Sequence, residues 1–161
     1  MKNKLKSSSG LTLIELLVVV GIIAALSGFG MSNLFGFKAG QDLDNTAKEI
    51  VASLRDASSK SVTGEDLNIQ GERWGVHFDN SGSSDFYEVF KGTTYPGTAY
   101  SKRVLNPRLE FEVPNNNSSL DIFFDKLTGI TNSLQTVKII ISGDASKFKI
   151  ITIDSNGSIK F

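Results

Sequence analysis

Between Glu15 and Lys38 the chain places no charged side chain. Those 22 positions, residues 16–37, are apolar apart from small or weakly polar residues such as Gly21, Ser27, Ser32 and Asn33. Coiled as a helix, the run rises about 33 Å, against a hydrocarbon core of about 30 Å. That length predicts a membrane span more readily than the buried helix of a soluble core. Ahead of it stand Lys2, Lys4 and Lys6 with no acidic residue. Such a positive flank stays cytoplasmic, which sends the C-terminal bulk across the membrane. A cleaved secretory signal has a shorter apolar region, no acid and an A-x-A-like end. The stretch Ala24-Ala25-Leu26-Ser27-Gly28 matches that end poorly. Glu15 is the anomaly, because an acid inside a bilayer helix costs roughly 2.5–3.5 kcal/mol.

The residues Gly10-Leu11-Thr12-Leu13-Ile14-Glu15-Leu16-Leu17 resemble the cleavage and assembly signature of type IV prepilins and type II secretion pseudopilins. The resemblance implies that a membrane-bound prepilin peptidase cuts between Gly10 and Leu11 and methylates the new amine of Leu11. It also implies that Glu15 is kept as the assembly carboxylate. The first mature residue is usually phenylalanine in that family and is leucine here, but the amine, not the side chain, is modified. The physical logic is simple. A cut after Gly10 creates an α-amine about one helical turn from Glu15, and a carboxylate in lipid needs a paired cation. The amine of an adjacent subunit serves equally and would set axial register, while the helix dipole favours an acid near the N-terminus. Gly10 leaves the backbone open to the peptidase. The domains expected are a leader over 1–10, a transmembrane and assembly helix over 11–37, and a head over 38–161.

Beyond the membrane run, Leu43, Ala47, Ile50, Val51, Leu54, Ala57 and Val62 fall at three-to-four-residue spacings. They predict an amphipathic helix over 41–62 whose stripe lies on the head. Gly28, Gly30, Gly36 and Gly40 separate the two helical halves, and each weakens a helix by about 1 kcal/mol relative to alanine. Residues 28–40 are therefore the expected place for bending, and Thr63-Gly64-Glu65-Asp66 is the expected end of the helix.

Residues 67–161 read as short strands broken by turns. Trp74 to Phe78 and Phe86 to Phe90 flank Asp79-Asn80-Ser81-Gly82 as a hairpin. Further strands are expected over 109–113, 120–124, 136–142, 147–153 and 158–161, with residues 92–103 as a loop. The sum is an α+β fold of type IV pilin-like architecture, a long N-terminal helix packed on an antiparallel β-sheet head. With no cysteine, an exported head relies on its core and on subunit packing. Leu54 to Ala57, Trp74 to Phe78, Phe124 to Ile130 with its late glycine turn, and Ile150 to Gly157 with its closing strand also resemble the heads of H-type minor pseudopilins.

Other features carry less. His77 is the sole histidine, which argues against zinc and for a structural role. Asp154-Ser155-Asn156-Gly157-Ser158 has the oxygens for calcium, though tight-turn chemistry explains it at lower cost. Asn116, Asn117 and Asn156 match a glycan-acceptor pattern. Tyr95 and Tyr100, with Lys91, Lys102 and Arg103 nearby, suggest a contact patch for DNA or a partner; a solvated loop is the plainer reading. No cofactor site, metal cluster or nucleophile with a base stands out, so the chain does not read as an enzyme. Its 17 basic residues balance 17 acidic ones, and losing Lys2, Lys4 and Lys6 with the leader leaves 14 against 17. Overall charge therefore gives no drive toward DNA.

The function expected is a structural subunit of a type IV pilus or type II secretion pseudopilus, of the minor H-type. Its expected partners are prepilin peptidase, other pilin subunits, an inner-membrane assembly platform and the lipid bilayer. Its expected location is the bacterial inner membrane as a single-pass precursor, then the filament. The alternative is an uncut, membrane-anchored binding protein with a β-rich head outside the cytoplasm.

Overall fold

The computed structural model describes residues 12–161 apart from Leu67, Ile69 and Asn132, and gives only the backbone for residues 28–36. One helix, α1, runs from Leu13 to Thr63. Eight strands follow: β1 Arg73–Asp79, β2 Phe86–Gly92, β3 Thr98–Val104, β4 Leu109–Val113, β5 Ser119–Phe124, β6 Gln135–Ile141, β7 Asp144–Ile153 and β8 Ile159–Lys160. The chain divides between Lys38 and Ala39 into two compact units. The helix is unbroken through residues 28–40, and the division falls within this glycine-bearing stretch.

In the second unit, Leu43, Ala47, Ile50, Val51, Leu54 and Ala57 are buried on one face of α1, as their spacing predicts. The last turn departs from expectation. Val62 is 46% exposed, and Lys60 and Ser61 are buried in its place. Helical phase explains this: from Ala57 the buried face reaches residues three and four on, not five. Ser61 is tolerated there because its hydroxyl donates to the Phe124 carbonyl at 2.9 Å.

The strands form two four-stranded antiparallel sheets, ordered β3-β2-β1-β5 and β4-β6-β7-β8. The antiparallel head expected from the sequence is present, divided into two sheets. Chain order does not foretell the division, because β5 returns to pair with β1 while β4 joins β6. The inward residues of both sheets, among them Trp74, Val76, Phe78, Phe111, Ile139 and Ile151, share one core with the helix stripe. Residues 92–103 are also corrected: Thr98 to Val104 form strand β3, leaving only Thr93 to Gly97 as a loop. Every residue of β3 is exposed or half-exposed, so it lacks the alternation that marks a strand in sequence.

Candidate assembly site at the N-terminal helix

Gly10 and Leu11, the expected cleavage and methylation residues, lie outside the described residues. Thr12 is described, and it starts the helix. Its carbonyl accepts the N–H groups of Glu15 at 3.1 Å and Leu16 at 3.2 Å, and its hydroxyl accepts the Glu15 N–H at 3.4 Å. A threonine at the N-cap with glutamate three residues on is the pattern that satisfies orphan donors at a helix start. Glu15 thus sits in the first turn, where the helix dipole favours its charge. The sequence named Glu15 from its position in the motif; the role of Thr12 as its helical partner was missed. The signal for it, a threonine three residues before a glutamate, was in plain view.

From Leu16 to Leu26 the helix is apolar on every side. Its large side chains run from 82% exposed at Leu13 to 45% at Val19, with Leu16, Val18, Ile22 and Ile23 between them. Ser27 turns its hydroxyl back onto the Ile23 carbonyl at 2.7 Å, so this polar group needs no outside partner. A helix apolar all round is stable only when something covers it. Among the described residues no helix is long and apolar enough to cross a membrane. The expected span over 16–37 includes residues 28–36, whose side chains lie outside the description.

The head holds a second constellation. His77 on β1 is 3% exposed and opposes Glu88 on β2 and Asp121 on β5. Its Nδ1 lies 2.6 Å from an Asp121 carboxylate oxygen, and its Nε2 is buried with no hydrogen-bond partner, 3.5 Å from Asp79. Tyr95 stacks on the imidazole at 3.6 Å, nearly parallel, and donates its hydroxyl to Glu88 at 3.2 Å. Burial and the Glu88 charge push the Tyr95 phenol above its ordinary value. Burial also works against the Asp79 charge, but the Ser81 N–H and hydroxyl, with His77, hold its carboxyl below the usual range. This arrangement ties the loop of residues 93–97 to the outer face of the first sheet. Among the described residues no group of three or more such side chains is placed to hold a metal ion.

The contact patch suggested by Tyr95 and Tyr100 is not assembled. Tyr95 covers His77, while Tyr100 meets Trp74 edge-on at 5.4 Å and takes the Lys60 ammonium over its ring at 3.6 Å. Lys91 donates to the Asp66 carbonyl, and Lys102 lies over Phe86. The Asp154–Ser158 segment is a turn. Asp154 N–H donates to the Ser158 carbonyl at 2.9 Å, and the Asp154 carboxylate pairs with Lys160 at 2.7 Å.

The structure is similar to the crystal structure of the type IV minor pilin FimU of Pseudomonas aeruginosa strain PAO1. The likeness covers 73% of this chain and 90% of that one, with a TM-score of 0.50 and 16% identity. The fold is that of a type IV pilin. No family model matches the chain, and no curated protein matches it. At this identity the likeness to the type IV pilin concerns the fold alone. The Phe124–Ile130 turn packs against the Gly157 turn through Gly129.

Proposed function

We propose that this chain is a type IV pilin-like structural subunit, without catalytic activity, assembled into a filament through the exposed helix of residues 13–27. One observation carries the reading: a pilin-fold chain presents an uncovered helix, apolar on all sides, with one carboxylate in its first turn. Lipid covers such a helix before assembly, and neighbouring helices of the same kind cover it afterwards. In this reading prepilin peptidase cuts between Gly10 and Leu11 and the Leu11 amine is methylated. That amine, or its counterpart in a neighbouring subunit, pairs with Glu15. The precursor spans the bacterial inner membrane through residues 16–37 with its head outside, and an assembly platform moves it into a pilus or pseudopilus. FimU is a minor pilin, which favours a minor subunit here; the H-type assignment rests on the head segments named above.

The intact mass of protein purified from membranes tests the proposal. Loss of residues 1–10 with one added methyl group is the expected result. A full-length mass from cells with a working prepilin peptidase overturns it and leaves the uncut, membrane-anchored binding protein.

A further inference from the structure

A buried histidine has to find a partner inside the fold for each ring nitrogen. His77 finds one. Its Nδ1 lies 2.6 Å from an Asp121 oxygen, while among the described residues Nε2 has no hydrogen-bond partner and an Asp79 oxygen stands 3.5 Å away. The two protonation states of the ring meet this setting differently. A charged ring donates from both nitrogens, and each N–H then faces a carboxylate. A neutral ring has a single N–H, which leaves one carboxylate against a bare lone pair.

The elements packed around the ring weigh on the same side. β1 supplies Asp79, β2 places Glu88 opposite the ring, and β5 places Asp121 opposite it on the other side. β3 brings Lys102, which pairs in register with Glu88 and lies over the Phe86 ring at 3.5 Å. Arg73, at the start of β1, is engaged by Asp125 and the Phe123 ring. From above, Tyr95 in the loop of residues 93–97 stacks on the imidazole at 3.6 Å, only 3° from parallel. A cation over the face of an aromatic ring is attracted to it, so the stack also favours the charged imidazole. The same Tyr95 ring meets Phe90 edge-on at 5.1 Å, and Phe90 is fully buried.

We propose that His77 is a proton-operated catch for the loop of residues 93–97: the charged ring holds Tyr95 down on the first sheet, and loss of the proton lets Tyr95 lift and uncover Phe90. The closed loop binds the proton more tightly than the open one. Closure is therefore complete on the acidic side of the histidine range and weakens as pH rises through it. The closure constant falls by up to about tenfold per pH unit while the single proton leaves. The neighbours keep their own states meanwhile. Burial and the Glu88 charge hold the Tyr95 phenol above its ordinary value. Burial works against the Asp79 charge, but Ser81 and His77 hold that carboxyl below the usual range. The catch lies within the head and stands whether or not the chain is a filament subunit.

The test uses the full chain in detergent micelles and follows its one histidine by NMR across the range of about pH 5–8. At the acidic end both ring nitrogens are expected to carry protons, with strong Overhauser contacts from the Tyr95 ring to His77 and Phe90. As pH rises, both contacts fall away at the midpoint where the ring loses its proton, and circular dichroism shows that the head stays folded. Asp79→Asn removes one of the two carboxylates and moves the shared midpoint to lower pH. Tyr95→Phe cannot bond Glu88 but keeps the pH dependence of its ring contacts. Contacts that outlast deprotonation, or that fade at a pH other than the ring's midpoint, overturn the proposal. An unmoved midpoint in Asp79→Asn does so as well. Loss of the pH dependence in Tyr95→Phe overturns it in favour of the Glu88 bond as the catch.

Discussion

Gly157 approaches Gly129 so closely that a Cβ on Gly157 would stand 2.2 Å from the Gly129 carbonyl oxygen. Gly129 is itself pressed against the helix end, where its own Cβ would meet Val62 at 2.8 Å and Ser58 at 3.1 Å. Helix, late turn and closing hairpin are thus stacked without room for a methyl group. Gly157 also has φ +80°, a left-handed conformation that costs other residues about 1–2 kcal/mol. Gly143 has the same φ of +80°, but a Cβ there meets nothing within 4 Å. Gly143→Ala is therefore expected to lose only the conformational cost. Gly157→Ala adds a backbone clash and is expected to lose about 3 kcal/mol or more. Denaturant titration of the two variants checks the difference; equal losses would show that the close approach is unimportant.

A second prediction concerns the seam between the sheets. The Asp85 carboxylate accepts the Phe111 N–H at 2.6 Å, while the Asn80 amide donates to the Phe111 and Pro114 carbonyls. Burial pushes the Asp85 carboxyl above its ordinary value; the Phe111 bond pulls it back, and the charges of Glu110 and Asp79 push it further up. A raised carboxyl adds stability while protonated and loses that contribution as pH rises through its folded value. Asp85→Asn keeps an acceptor for Phe111 without the charge. It should gain stability relative to the wild type between pH 4 and pH 7. Asp85→Ala leaves the Phe111 N–H unsatisfied and should cost about 1–3 kcal/mol at either pH. Melting curves at the two pH values decide the matter.

What the sequence revealed follows from what each element buries. The helix stripe from Leu43 to Ala57 and strands such as 109–113 and 120–124 alternate because one face meets the core, and periodicity exposes them. β3 was missed because it buries no face; its neighbour β2 makes it a strand. The division into two sheets was invisible because it depends on Asn80 and Asp85 reaching β4 from another hairpin, about thirty residues away in the chain. At the candidate site Glu15 stood out as a charge in an apolar run. The His77 cluster did not, since its acids arrive from three strands.

Lys60 gives a third prediction. Its ammonium lies 3.6 Å from the Tyr100 ring centroid, 5.1 Å from that of Trp74, and 2.9 Å from an Asp56 oxygen. Burial lowers its pKa, but Tyr100 and Asp56 outweigh that, and the amine is held above its ordinary value. Its contribution is thus complete at neutral pH and fades only as alkaline pH passes the raised value. Lys60→Ala loses the ring contacts and the packing of the stem together, a cost of about 1–2 kcal/mol. Lys60→Arg keeps a cation over the rings and should recover much of the loss. Thermal denaturation at neutral pH separates the two; an unchanged Lys60→Ala would assign the burial to chance.

Glu15 provides the prediction that bears on function. Its N–H is satisfied by the Thr12 carbonyl and hydroxyl, so the start of the helix needs only the backbone at position 15. Removing the carboxylate should leave the helix and its insertion intact, or slightly favoured, because an acid in lipid is costly. Under the filament proposal the carboxylate matters only when a neighbouring or newly freed amine must be matched. Glu15→Ala and Glu15→Gln are therefore expected to be cut and to accumulate in the membrane as mature protein, yet to be absent from sheared filaments. Glu15→Asp, with a shorter reach, should assemble at a reduced level. Immunoblots of membrane and sheared fractions give both readings. Wild-type filament incorporation by Glu15→Ala would show that the acid in the first turn is a helix-start residue and nothing more.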